Sequence, residues 1–198
     1  NTMAVTTGAN AVGVDTTYTA LNTLKDAAQN NTASASTTSE TVYTRAGVIG
    51  VTSSNLEMIN SALNSATIID NSADTSAKVQ AIVDSYNAVL ALADNGVSVG
   101  TGVTADQYAR IGVTGINSAT PAANTVPTAS KASLLNDAID LKPRTAIDTV
   151  AEVQALADAV TAVMTGAAGG TPPTLAELES LGITGITPDN LATVQAAI

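Results

Sequence analysis

Apolar residues fall at the three- and four-residue spacing of a single helix face in two long stretches. Val79, Ile82, Val83, Tyr86, Val89 and Leu90 form the first, and Val153, Leu156, Val160 and Val163 the second. An Asp-Thr pair opens each, at Asp74-Thr75 and Asp148-Thr149, and a third pair stands at Asp15-Thr16. The pairs predict the starts of three long helices. Shorter stripes precede or follow them: Leu56, Ile59 and Leu63 after a capping Thr52, and Leu191, Val194 and Ile198 after Thr187-Pro188. In the latter a cap is followed by proline at the first helical position. A middle stripe starts near Ser130 with Leu134, Leu135 and Ile139. The stretch before it, residues 117–127 with Pro121 and Pro127, reads as an inserted loop.

A nine-residue motif recurs three times: YTRAGVIGV from Tyr43, YARIGVTGI from Tyr108 and LESLGITGI from Leu178, 65 and 70 residues apart. Ser39, Thr104 and Thr174 precede these by four residues, where a hydroxyl can cap the free N–H groups of a helix start. Gln107 and Glu177 lie three residues beyond two of those caps and complete a capping box. Gly47, Gly112 and Gly182 follow, where a left-handed residue ends a helix. The Asp-Thr series has spacings of 59 and 74 residues and interleaves with the motif, so the cycle is about 65 residues.

The expected fold is all-α, an elongated array of tandem three-helix bundle repeats. Each unit runs short helix, glycine turn, second helix, then the long Asp-Thr helix. Residues 1–38 hold an N-terminal segment and the last helix of a preceding unit, and 39–103 a first full repeat. Residues 104–173 form a second repeat with the 117–127 insertion, and 174–198 the first two helices of a third. Linkers are expected at Gly100 to Thr104, Thr165 to Pro173 and Asn30 to Thr38, all rich in Gly, Ser, Thr and Pro.

Composition narrows the function. The 198 residues are 45% hydrophobic but only 2% aromatic, with four Tyr and no Phe or Trp. Such a core is filled by Ala, Val, Leu and Ile, whose small side chains let helices approach closely. A net charge of −10 repels phosphate backbones and anionic lipid, so neither nucleic acid nor a membrane surface is an expected partner. No apolar run approaches the roughly 20 residues that span a bilayer. The absence of Cys and His removes thiol nucleophiles, disulfides, the commonest zinc ligands and the usual near-neutral acid–base group. With a Thr-, Ser-, Ala- and Asn-rich, Lys-poor balance, this suits a secreted bacterial surface protein. The first residue, Asn1, fits a removed leader or an excised fragment.

Candidate chemistry resolves mostly into structure. Asp70, Ser72 and Asp74 have the alternation of a calcium loop, but the later bidentate acid and the glycine are missing. The aligned stretch of the next repeat carries Lys142 and Arg144, so a solvated loop with a helix cap at Asp74 is preferred to calcium. Arg45 and Arg110 could make a repeated anion contact, yet the third copy has Ser180, and a cation suits a helix C-terminus. Tyr43 and Tyr108 give way to Leu178, which points to core. Gly47 to Gly50 lacks the strand and the Lys-Ser/Thr of a phosphate loop. No His or paired Lys activates a hydroxyl, so no catalytic, cofactor-binding or metal residue is assigned and an enzyme is not expected. Asn30-Asn31-Thr32 matches a glycosylation triplet.

The segments LESLGITGITPDNLATVQAAI (Leu178 to Ile198) and DTSAKVQAIVDSYNAVL (Asp74 to Leu90) resemble the roughly 65-residue modules of very large bacterial surface adhesins. They are more distantly similar to three-helix GA-type modules, whose best-known members bind serum albumin. The resemblance covers most of residues 15 to 198. It implies an extracellular, cell-surface structural or adhesive protein, with a ligand- or host-protein-binding module as the alternative. The partners expected are neighbouring repeats or identical subunits head to tail. The helix order begins with a long helix and ends with a short and a second helix. Excision from a longer array explains that register, and so does a filament in which subunits complete each other's units, residues 1–14 (Met3, Val5, Val12, Val14) docking.

Overall fold

The computed structural model describes residues 9–30, 38–97, 102–116 and 130–198, with backbone alone for residues 9–15 and Asn30. The expected insertion at 117–127, residues 1–8 of the expected docking segment 1–14, and the rest of the expected glycosylation triplet lie outside the described residues. Among the described residues all regular structure is helical, apart from one isolated bridge between Asp94 and Pro143. The helices are α1 (Ala9–Asn30), α2 (Glu40–Arg45), α3 (Leu56–Leu63), α4 (Ser76–Leu92) and α5 (Ala105–Arg110). Then follow α6 (Lys131–Asp140), α7 (Val150–Ala167), α8 (Leu175–Ser180) and α9 (Leu191–Ala197). Short 3-10 turns at Asp70–Ser72 and Arg144–Ala146 precede α4 and α7. The chain forms two compact units divided between Asp84 and Ser85, within α4.

The helix starts show which local signals decide. Thr104 and Thr174 each accept the N3 amide and receive the N3 side chain in return, complete capping boxes with Gln107 and Glu177. Thr149 does the same with Glu152. Ser39 occupies the N-cap of α2 but its side chain makes no cap bond: its N3 residue is Val42, which has nothing to offer in return. α4 starts after Thr75, whose hydroxyl accepts the Lys78 amide; Asp74 pairs with the Lys78 ammonium at 2.7 Å and is not the cap. At the third pair the expectation fails. α1 begins at Ala9 and runs through Asp15-Thr16, because residues 9–15 hold no proline to stop it.

The second helices also start later than expected. Thr52 and Thr187 open turns of three residues, and α3 and α9 begin after Asn55 and Asn190. α7 likewise continues through Thr165 into the expected linker, where the Thr165 hydroxyl donates to the Thr161 carbonyl, and it ends just before Gly169 at φ 81°.

In the first unit α1 packs on α2, on the 3-10 turn and on α3, burying Ala20, Leu24, Ala27 and Ala28. In the second, α7 packs on α6 and α8. Val79, Ile82, Val83, Tyr86, Val89 and Leu90 are all buried, as are Val153, Leu156 and Val160; Val163 is half-buried. Full burial of each such aliphatic side chain is worth roughly 1.5–3 kcal/mol. Alanines at 157 and 159 fill the spaces between them.

Candidate functional site

No group of three or more acidic residues that could hold a metal occurs among the described residues. Asp70 lies 3.8 Å from the Lys25 ammonium and Asp74 pairs with Lys78, so the carboxylates of the calcium-like stretch meet lysines. Arg45 and Arg110 end α2 and α5 with exposed side chains. Tyr43, Tyr108 and Leu178 are fully buried. Burial pushes the phenols of Tyr43, Tyr86 and Tyr108 far above their ordinary range, and at Tyr86 the charges of Glu152 and Asp148 add to it. Each phenol is spent on structure. Tyr43 and Tyr108 donate to the side-chain oxygens of Asn60 and Asn136, both at 2.7 Å, and Tyr86 donates to the Ile147 carbonyl.

Those two asparagines belong to a recurring tie. The Asn60 amide donates to the Thr38 carbonyl at 2.9 Å, that of Asn136 to Val103 at 3.0 Å, and that of Gln195 to Pro173 at 2.8 Å. A side chain on the second helix thus holds the strand of backbone entering the short helix. It does so three times.

The glycine turns are equally repetitive. Gly47, Gly112 and Gly182 sit at φ 78°, 95° and 85°, and Gly50 and Gly115 and Gly185 at 82°, 78° and 78°. Only glycine adopts this region without cost. Val48, Val113 and Ile183 donate amides back to the carbonyls of Tyr43, Tyr108 and Leu178. In the first and third turns an asparagine closes the exit: Asn55 accepts the Thr52 amide and donates to Gly50, and Asn190 accepts the Thr187 amide and donates to Gly185.

A glutamine on the long helix then clasps the peptide between the glycines. The side-chain oxygen of Gln80 accepts the Ile49 amide at 2.8 Å while its NH2 donates to the Ile49 carbonyl at 3.0 Å. Gln154 does the same at Thr114, at 2.8 and 3.2 Å. Each glutamine also donates to a carboxylate one turn on, Asp84 or Asp158, at 2.8 Å. Two backbone groups of an exposed turn are satisfied by one side chain.

Thr184 holds the same place in the third turn, and there its amide and carbonyl have no protein partner among the described residues. The apolar residues around it are open too. Val48 and Val113 are 2% and 3% exposed where Ile183 is 43%. Ala46 and Ile111 are buried where Leu181 is half-exposed; Ile59 and Leu135 are buried where Val194 is half-exposed.

Sequence reasoning placed the glycines, the Thr104 and Thr174 capping boxes and the helix faces, but not the glutamine clasp or the asparagine ties. One signal was present: Gln80 and Gln154 both lie six residues after an Asp of the Asp-Thr pair, each with an Asp four residues later.

No family model, curated protein or solved structure matches the chain. Among the described residues no helix is long and apolar enough to cross a membrane.

Proposed function

We propose that the chain is a structural or adhesive repeat protein of a bacterial cell surface, extracellular and not an enzyme. Three-helix units of about 65 residues follow one another as a stalk or fibre scaffold. Neighbouring units, or identical subunits joined head to tail in a filament, are its partners. The observation that carries this reading is the tie from the second helix to the entering backbone, repeated at Asn60, Asn136 and Gln195. Sequence that repeats its internal bonds as well as its residue types is organised to be stacked.

The polar side chains support a scaffold in the same way. Tyr43, Tyr86, Tyr108 and the capping Glu152, whose ionisation is shifted, are each engaged with backbone or with a neighbouring helix. Heterologous stacking without closure produces a fibre.

Small-angle scattering and electron microscopy of the purified chain test this. Rod-shaped particles or filaments are expected. A compact globule that stays monomeric at high concentration and captures a host protein would favour the alternative, a GA-like binding module.

A further inference from the structure

We propose that the surface formed by Leu181, Ile183, Val194 and the Thr184 peptide is a docking site for one kind of occupant. That occupant is a helix built like α4 or α7, bearing a Gln followed four residues later by an Asp. The inference deepens the repeat reading above and rests on it.

The occupant is named by what covers the same surface elsewhere. At Ile49 and Thr114 the turn peptide is held from outside by Gln80 and Gln154, each steadied by its own Asp. Val48 and Val113 beside those clasps are buried. The third turn is already in the receiving conformation. Its glycines have the φ values of the covered turns, Ile183 donates to Leu178, and the Asn190 clamp is closed. A preformed site loses little ordering entropy on binding. The clasp at Thr184 and the cover over Ile183 are what this turn lacks among the described residues.

No helix among the described residues is free to supply it. Gln80 and Gln154 are engaged at their own turns, Gln107 in a capping box and Gln195 at Pro173. The fifth glutamine, Gln29, stands near the end of α1, and Ala33 rather than Asp follows four residues later. A second copy offering α1 therefore lacks the clasp. The helix lies outside the described residues.

The test is a titration of isotope-labelled chain 1–198 with a synthetic peptide of the sequence Asp148–Ala167, followed by amide NMR. Saturable shifts centred on Thr184, Ile183 and Val194 are expected. The same peptide carrying Gln154→Ala should bind about tenfold more weakly, since two hydrogen bonds are lost. No shift at Thr184 with millimolar peptide overturns the proposal, and so does equal binding of the two peptides. Shifts at Thr184 that grow with chain concentration alone, and that involve residues 9–30, overturn the choice of occupant. A parallel variant separates the two readings: Gln154→Ala in the chain itself should release the Thr114 amide. Release at Thr114 without peptide binding at Thr184 sinks the docking site alone. No release at Thr114 sinks the repeat reading beneath it.

Discussion

The turn around Thr114 and the turn around Thr184 have nearly the same backbone and opposite surroundings. Both carry two left-handed glycines and the same back-bond from the residue after the first glycine. Gln154 of α7 clasps the first, and no side chain among the described residues clasps the second. The turn conformation is therefore set locally, by glycine and by hydrogen bonds within a few residues. The covering helix adds burial and a clasp. Local chemistry builds the receiving shape; the long helix turns it into core.

The largest way to break that comparison is to empty equivalent positions. Ile59→Ala, at a fully buried site, should lower unfolding free energy by about 2–5 kcal/mol. Val194→Ala, at the matching half-exposed site, should cost less than about 1 kcal/mol. Urea denaturation of the two variants gives both numbers, and equal losses would mean that the third turn is as covered as the first.

The tyrosines sharpen it next. Tyr43 and Tyr108 lie beneath the covered turns, where the third copy has Leu178. Because burial raises the folded phenols above their ordinary 10.0, the unfolded chain loses those protons first as pH rises. Their contribution to stability is complete below pH 10 and declines above it. Tyrosinate absorbance at Tyr43, Tyr86 and Tyr108 should thus appear together with loss of helix by circular dichroism, rather than before it.

Smaller effects distinguish the helix starts. Thr174→Ala removes a capping box and should cost about 1 kcal/mol, while Ser39→Ala, which removes no side-chain bond, should cost a few tenths. Thermal melts of the pair resolve this difference.

Glu152, in the cap of the covering helix, supplies the smallest effect. Burial alone would raise its carboxyl, but hydrogen bonds with Thr149 and Asp148 outweigh that and hold it below the ordinary 4.5. Its stabilisation is present above that value and is lost as pH falls through the lower folded one. Glu152→Gln should flatten the acid limb of the stability curve relative to the parent chain, as followed by urea midpoints across acid pH.

Much of this was legible in the chain itself. Glycine positions, the Thr104 and Thr174 capping boxes and the buried faces of α4 and α7 depend on residues within one or two turns of each other, so spacing reveals them. Helix starts were less legible where a side chain competes: Asn55 and Asn190 fold back on the preceding turn and delay α3 and α9 beyond Thr52 and Thr187. The α1 start was misplaced because an Asp-Thr pair permits a helix start without requiring one. The clasps were hidden for a different reason. Gln80 and Gln154 reach backbone 31 and 40 residues away, and a partly exposed glutamine on a helix looks like any solvated side chain.

Hydrogen exchange of three backbone amides tests the clasp most directly. In the chain alone, Ile49 and Thr114 should exchange slowly, protected by Gln80 and Gln154, while Thr184 exchanges near the rate of an open loop. Protection of Thr184 equal to that of Thr114, with no peptide added, would contradict the account.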